Sequence, residues 1–153
     1  MAVSLDIDSK RCQIARTLDI VGEKWSLLIV RNAVRGQTKF SEFRVSLGVP
    51  SDILTNRLAT LVEAGILEKR SYRQPGSRER SSYHLTESGL ALKVVLAAMI
   101  QWGDEYNPTQ FGAASLLADP ETHEAVELAF VPVGDAHNEK VAILPGPGSL
   151  STW

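Results

Sequence analysis

Three arginines lie within eight residues around a Pro-Gly pair, in the segment 73–80. Guanidinium groups bind phosphate oxygens through parallel N–H donors, so such a cluster is typical of a polyanion contact. The hydrophobic period changes after Gly65, and residues 66–72 and 81–85 read as two strands. Pro-Gly predicts the turn between them. The candidate DNA contacts of this β-hairpin are Arg73, Ser77, Arg78 and Arg80, although charges of this kind can also serve solubility alone.

A second polar group lies on a predicted helix that begins after Pro50 and ends at Gly65. One face is an apolar stripe of Leu54, Leu58, Leu61 and Val62. Asparagine and arginine can form paired hydrogen bonds to adenine and guanine edges. We therefore predict contact with DNA bases and phosphates, against the simpler interpretation of a solvated helix face. The candidate residues are Ser51, which we also expect to be the N-cap, Asp52, Thr55, Asn56 and, at the edge of the face, Arg57.

Helical periodicity predicts three earlier helices, over residues 12–21, 23–35 and 39–46. Thr38 is the expected cap of the third helix, and Gly48 is the break after it. Lys39, Ser41 and Arg44 on this helix are expected to contact the DNA backbone. Helices followed by a strand, a basic loop and a strand are the element order of a winged helix-turn-helix. The predicted fold class is therefore mainly α with a small β-hairpin wing (α+β), with the fourth helix entering the major groove.

The segment 86–106 predicts one long helix that Thr86 caps. Its apolar residues cover more than one face, so we expect a second copy of the chain to pack against it. Core or dimer packing explains Trp25 and Trp102 better than ligand binding does. The residues that we expect in this dimer interface are Leu18, Val95, Met99, Trp102 and Tyr106.

Beyond Asn107-Pro108, the segments 124–133 and 141–144 alternate weakly and predict a short β-hairpin around a turn at 134–139. We expect residues 145–148 to tether a loose end. The predicted domains are therefore 1–107, for DNA binding and dimerisation, and 108–153, a C-terminal extension.

The net charge of −2 over 153 residues conceals a strong asymmetry. Residues 10–80 carry 14 Lys and Arg against 7 Asp and Glu, whereas residues 81–153 carry 2 against 9. A basic half joined to an acidic half indicates a polyanion-binding module with a separate non-binding part. No apolar run is long enough to span a bilayer, and the start of the chain does not resemble a signal peptide. We therefore expect a cytoplasmic protein.

Cys12, the only cysteine, fits a reducing compartment. It is either a small buried apolar residue or a sensor thiol, since nearby arginines favour the thiolate. The three histidines lack metal-ligand spacing, and no nucleophile or phosphate-loop motif occurs. We expect no metal, no cofactor and no enzymatic activity.

Several sequence segments also resemble one known family. They are residues 12–29 (CQIARTLDIVGEKWSLLI), 40–43 (FSEF), 54–58 (LTNRL), 61–65 (LVEAG) and 83–89 (YHLTESG). Together they resemble the HxlR-type regulators of the MarR-like winged-helix group, over roughly residues 12–106. The resemblance implies a homodimeric bacterial transcription regulator whose N- and C-terminal helices form the dimer. It also implies, by analogy with relatives that have a matching cysteine, sensing of electrophiles or oxidants.

These observations predict a homodimeric, sequence-specific DNA-binding regulator, acting as a repressor on a pseudo-palindromic operator. One alternative is a redox, electrophile or small-molecule sensor that uses Cys12 or a pocket between the dimer helices. Another alternative is a winged-helix protein-interaction module that does not bind DNA. Such a module does not need three arginines at the hairpin tip.

Overall fold

The computed structural model describes residues 11–134 and 140–149. Four helices come first, followed by a hairpin, two further helices and a second strand pair. Their bounds are α1 Gln13–Val21, α2 Lys24–Val34, α3 Phe40–Leu47, α4 Ser51–Glu63, β1 Leu67–Tyr72, β2 Arg80–Leu85, α5 Glu87–Ala91, α6 Lys93–Tyr106, β3 Ser115–Ala118 and β4 Ala142–Pro145. This order confirms the predicted α+β winged helix-turn-helix. The chain divides into two compact units, one up to Ala91 and the other from Leu92 onwards.

The core of the first unit contains the apolar stripe of α4. Its buried members are Leu54, Leu58 and Leu61, which share one side of a helix because they are spaced by four and three residues. Helices α2 and α4 contact each other, and Ile29 and Val30 of α2 are also fully buried. Burial of this stripe fixes which side of α4 faces outward.

A buried asparagine joins α2 to α3. The Asn32 side chain donates hydrogen bonds to Ser46 Oγ (2.8 Å) and to Gln37 Oε1 (3.1 Å). Its carbonyl oxygen accepts a hydrogen bond from Arg31 Nε at 2.9 Å. A satisfied polar network of this kind orients its members because any displacement leaves buried groups unpaired. The turn between α3 and α4 passes through Gly48, whose φ of 62° is strained for other residues.

The hairpin is joined to the segment that precedes α3. Strands β1 and β2 pair in antiparallel register from Leu67 opposite Leu85 to Tyr72 opposite Arg80. Lys39 forms a bridge to Ser82, and the Tyr83 N–H donates to the Thr38 carbonyl at 2.7 Å. The start of α3 is thereby held beside β2.

The predicted N-caps of α3 and α4 are each displaced by one residue. Pro50, which is extended, occupies the N-cap position of α4, and its carbonyl accepts the Leu54 N–H at 2.9 Å. Ser51 therefore belongs to the first turn, and its side chain caps nothing. Thr38 is likewise not a cap, because its carbonyl pairs with β2 and Lys39 takes the N-cap position.

The predicted long helix 86–106 is two helices. The Thr86 hydroxyl accepts the Gly89 N–H at 3.1 Å, which confirms the predicted cap. Helix α5 then ends at Ala91, and α6 begins at Lys93 after Leu92, which lies between them. The boundary between the two units falls at this break, whereas the domain boundary predicted after residue 107 stays a prediction.

The second unit contains α6 and a strand pair that differs from the predicted one. Strand β4 matches the predicted segment 141–144, but its partner is β3, from Ser115 opposite Pro145 to Ala118 opposite Ala142. The predicted first strand, 124–133, was wrong, because within it only Ala125 forms a bridge, to Ala118. The Gln101 side chain instead bonds both backbone groups of Leu128, at 2.8 and 3.2 Å.

Residues 145–148, which we expect to tether a loose end, are themselves hydrogen-bonded to residues 113 and 114. Gly146 N–H donates to the Ala114 carbonyl (3.1 Å), and Gly148 N–H donates to the Ala113 carbonyl (2.9 Å). A Cβ on Gly146 would collide with the Ala113 carbonyl oxygen. Residues 135–139 of the predicted turn and the end from residue 150 lie outside the described residues.

Glu42 generates a prediction about stability and pH. Its Oε2 atom accepts the backbone N–H groups of Thr38 (2.8 Å) and Lys39 (2.9 Å). Partial burial opposes ionisation, but these two hydrogen bonds and the charge of Lys39 together hold the pKa of Glu42 below its ordinary value of 4.5. We expect Glu42→Ala to lower the free energy of unfolding by about 1 kcal/mol at pH 7, as loss of a capping acceptor does.

The pH dependence follows from the direction of that pKa shift. A lowered folded-state pKa gives stabilisation that is complete above the unfolded pKa and disappears as the pH falls through the folded pKa. The difference in the free energy of unfolding between Glu42→Ala and the native chain, measured by urea unfolding, should therefore shrink below pH 4.5. Glu42→Gln, which keeps an acceptor without the charge, is the control. An unchanged difference from pH 7 to acid would contradict this prediction.

Candidate nucleic-acid interface

Helix α4 presents a polar face opposite its buried leucines. Ser51, Asp52, Thr55 and Asn56 are all exposed. The Thr55 hydroxyl donates to the Ser51 carbonyl at 2.8 Å, which leaves its methyl group for outward contact. Asp52 lies in the first turn, where a negative charge is favourable to the helix dipole. Four of the five polar residues predicted on α4 therefore share its outer face.

Arg57 lies beside the buried stripe rather than on that face. Its Nη2 atom is 3.6 Å from Glu23 Oε2, at the residue that precedes α2, and its side chain is only 30% exposed. The Nε atom is buried and makes no hydrogen bond. Contact of Arg57 with a base stays a prediction, and it requires the guanidinium to leave Glu23.

The predicted contacts of α3 lie around its first turn and outer side. Lys39 Nζ is 3.6 Å from Glu42 Oε1 and 5.9 Å from the centre of the Tyr72 ring. Ser41 and Arg44 are exposed. Lys39 is therefore held at the junction of α3 and the hairpin.

The hairpin tip is an ordered turn with its cations outside. Arg73 Nε donates to the Ser77 carbonyl at 3.1 Å, and Ser77 N–H donates to the Gln74 carbonyl at 3.0 Å. Arg73 thus stiffens the loop, and Ser77 is half-buried within it. Arg78 and Arg80 are exposed.

Sequence reasoning missed a cavity of about 300 Å³ between the start of α3 and the hairpin. Two of the predicted contacts, Ser41 and Arg80, line it. The other lining residues are Phe40, Tyr72, Ser81 and Tyr83. Burial raises the pKa of the Tyr83 phenol, which stays protonated at neutral pH. The available sequence signal was the presence of a tyrosine on each strand of the hairpin.

Two cations near the C-terminal end of α2 were also missed. Burial lowers the pKa of Arg31, and burial together with repulsion from Arg31 lowers the pKa of Arg35 to about 10. With a pKa of about 10, Arg35 remains charged at neutral pH. Their spacing of four residues on one helix was the available signal.

Helix α6 carries an uncovered apolar face. Leu96 and Ala97 are buried, whereas Met99, Trp102 and Tyr106 are exposed and Val95 is half-buried. The rings of Trp102 and Tyr106 lie 5.6 Å apart. These four residues are the ones predicted for the dimer interface on this helix. Leu18, the fifth, is exposed on α1.

Cys12 is exposed, at the N-cap position of α1. Its use as a sensor thiol stays a prediction. In the ranges 11–134 and 140–149, no group of three or more histidine, cysteine, aspartate or glutamate side chains could hold a metal ion. Over the same residues, no helix has the length and apolar character that crossing a membrane requires.

These elements define a winged helix-turn-helix. The family model described as HxlR-like helix-turn-helix matches residues 20–111, more than half of the chain. The protein therefore belongs to the HxlR-like family, which confirms the resemblance drawn from its sequence.

Three related proteins illustrate the similarity. Rv3095 of Mycobacterium tuberculosis H37Rv, named as an HTH-type transcriptional regulator, is 40% identical over 99 residues. That match covers 65% of this chain but only 61% of the relative. The structure of PA1607, described as a candidate transcription factor, has a TM-score of 0.70 and 37% identity, covering 80% of this chain and 84% of that one. The redox regulator HypR in its reduced form has a TM-score of 0.55 and 29% identity, covering 61% and 92%.

The contact between Arg57 and Glu23 generates a second prediction. We expect Arg57→Ala to destabilise the fold more than Glu23→Ala does, because the partly buried arginine stem also packs beside the leucines. A double-mutant cycle by urea unfolding should give a coupling of about 0.2–1 kcal/mol, the range of partly exposed pairs. Arg44→Ala, an exposed arginine on α3, is the control. A coupling energy of zero, with Arg57→Ala as stable as Arg44→Ala, would show that the contact between Arg57 and Glu23 does not stabilise the fold.

Proposed function

We propose that this protein is a sequence-specific DNA-binding transcription regulator that acts as a homodimer. The observation that carries the proposal is the outer face of α4, where short polar side chains are exposed while the leucines opposite them are buried. Short side chains let a helix approach base edges closely in the major groove. The second helix of a helix-turn-helix enters the groove in this way, with its N-terminal residues toward the bases.

Cations on both sides of that helix support the proposal. Arg44 is exposed on α3, and Arg78 and Arg80 are exposed on the hairpin. Phosphate contacts of this kind set the position of a protein on the duplex but do not read its sequence. The excess of 7 basic charges in residues 10–80 favours association with a polyanion, and the acidic remainder favours keeping the rest of the chain off the phosphates.

The exposed face of α6 supports the homodimer. Val95, Met99, Trp102 and Tyr106 are spaced by four, three and four residues, which is the spacing of a helix-to-helix seam. A two-fold dimer would present two α4 helices to a pseudo-palindromic operator, with half-sites about 34–36 Å apart. Repression by covering the promoter is the simplest output of such binding. A redox input through Cys12 is suggested by the similarity to HypR, and any disulfide between protein cysteines would have to join two chains because each has one cysteine.

The DNA-binding proposal is tested by separating base contacts from phosphate contacts. Bound duplexes are first selected in vitro from random DNA with the native protein. We expect Asn56→Ala to weaken binding to the selected duplex by about 5- to 150-fold, while binding to a scrambled duplex stays unchanged. Arg78→Ala should weaken both, with a salt slope that is shallower by about 1. Gln74→Ala on the same loop is the control. Equal binding of the native protein to all sequences would overturn the claim of specificity.

The homodimer is tested by placing a charge on the α6 face. We expect Trp102→Lys to shift the protein from dimer to monomer in sedimentation velocity, because the charge would have to be buried in the interface. Val133→Lys, at a fully exposed apolar residue outside α6, should leave the dimer intact. A native protein that is monomeric at micromolar concentration, or a Trp102→Lys variant that remains dimeric, would contradict the proposed interface.

A further inference from the structure

A half-open cavity of about 300 Å³ lies between α3 and the hairpin, and four of its lining residues are not among the predicted contacts. Its six lining residues come from the first turn of α3 (Phe40 and Ser41), from the end of β1 (Tyr72) and from β2 (Arg80, Ser81 and Tyr83). The bridge between Lys39 and Ser82 and the hydrogen bond from Tyr83 to Thr38 hold these elements side by side. The site is therefore assembled by the same contacts that attach the hairpin to the helix-turn-helix.

The chemistry of the lining is that of an oxyanion site. Ser41, Tyr72, Ser81 and Tyr83 each carry a hydroxyl group, Arg80 carries a guanidinium, and none of the six residues is acidic. Within the described part of the chain, none of the four hydroxyls has a hydrogen-bond partner. Hydroxyl and guanidinium donors are the groups that proteins direct at phosphate oxygens. Glu42, the acidic residue of the first turn of α3, is engaged by the Thr38 and Lys39 N–H groups.

The positions of the lining residues favour DNA as the source of that oxyanion. Ser41 and Arg80 were predicted as DNA contacts from two separate parts of the sequence, and both line this one cavity. Its volume of about 300 Å³ is larger than a phosphate alone and leaves room for the attached sugar, which can pack on the Phe40 and Tyr72 rings. Lys39 Nζ, 5.9 Å from the Tyr72 ring centre, adds a second positive charge beside it.

We propose that this cavity is a clamp for one backbone phosphodiester of DNA, held between the first turn of α3 and the hairpin. Ser81 and Tyr83 are new binding residues in this assignment, and Arg80 supplies the charge. The clamp rests on the proposed function. It goes further by stating that α3 and the hairpin grip the same phosphate, so that the position of the hairpin is coupled to the insertion of α4.

The test is a chemical scan of the DNA combined with matched serine variants. Each phosphate of the selected duplex is replaced in turn by a neutral methylphosphonate, and affinity is measured by fluorescence anisotropy. We expect one position per half-site at which the native protein loses about tenfold in affinity, the effect of losing a hydrogen bond to a charged group. Ser81→Ala should bind unmodified DNA about tenfold more weakly than the native protein does. A methylphosphonate at the sensitive position should cause no further loss of affinity in this variant.

Ser71→Ala is the matched control, because Ser71 pairs with Ser81 in the hairpin register and does not line the cavity. Tyr83→Phe, which removes only a hydroxyl, is the second variant and should show the same loss at the same phosphate. Urea unfolding of each variant checks that the fold is retained.

The outcomes separate this assignment from the function on which it rests. Two outcomes would overturn the clamp alone while the native protein still binds the selected duplex. One is that Ser81→Ala and Tyr83→Phe bind unmodified DNA as tightly as the native protein does. The other is that the affinity losses from substitution and from methylphosphonate add at every phosphate. A third outcome is that inorganic phosphate binds the native chain but not Ser81→Ala, and that no methylphosphonate position is coupled to the Ser81 substitution. This result would overturn the clamp and assign the cavity to a free oxyanion. Failure of the native protein to bind any duplex would overturn the proposed function and the clamp together.

Discussion

Burial of the leucine stripe of α4 is the constraint on which the rest of the DNA-binding unit depends. Leu54, Leu58 and Leu61 are 0, 1 and 0% exposed, and together they fill the space beside α2. Close packing of this kind leaves a helix almost no freedom to rotate about its axis, because rotation would open cavities and expose apolar surface. The outward direction of Thr55 and Asn56 is therefore a consequence of the core. No separate interaction is needed to display them.

Polar contacts then fix α3 relative to this core. Asn32 connects α2 to Ser46 near the end of α3, and Glu42 holds the two N–H groups that precede its first turn. Each contact acts at one end of a helix of only eight residues, which is too short to be stable by its own propensity. The angle of the helix-turn-helix thus depends on these directional hydrogen bonds together with the burial of Phe43 of α3, which is 0% exposed.

Periodicity, together with the proline and glycine signals, predicted α1 to α4, the hairpin and the polar face of α4. Helices α2 and α4 each bury one regular face, whereas the apolar spacing of α1 predicted its helix although Ile14 and Leu18 are exposed. The errors have local causes. The alternating segment 124–133 is mostly exposed and forms no strand, whereas the short apolar strand β3 packs with α6. The break at Leu92 has no glycine or proline among residues 90–93 that would signal the end of a helix. The ion pair of Arg57 and the cavity beside α3 each join residues that are far apart in sequence, and single-sequence patterns do not report such pairs.

Under the proposed function, the position of Arg57 limits which base contacts α4 can make. With that guanidinium beside Glu23, the outer face offers the amide of Asn56, the hydroxyl of Ser51 and the methyl of Thr55, whose own hydroxyl is bonded to the backbone. An amide can pair with adenine and a methyl can contact the thymine methyl, so under the proposed function Asn56 and Thr55 suit A·T pairs. The only charge on this face is the negative one of Asp52, so the attraction to DNA would come from the cations on α3 and the hairpin. The proposed function thus assigns specificity and affinity to different elements, and the bridge between Lys39 and Ser82 holds the two cationic elements side by side.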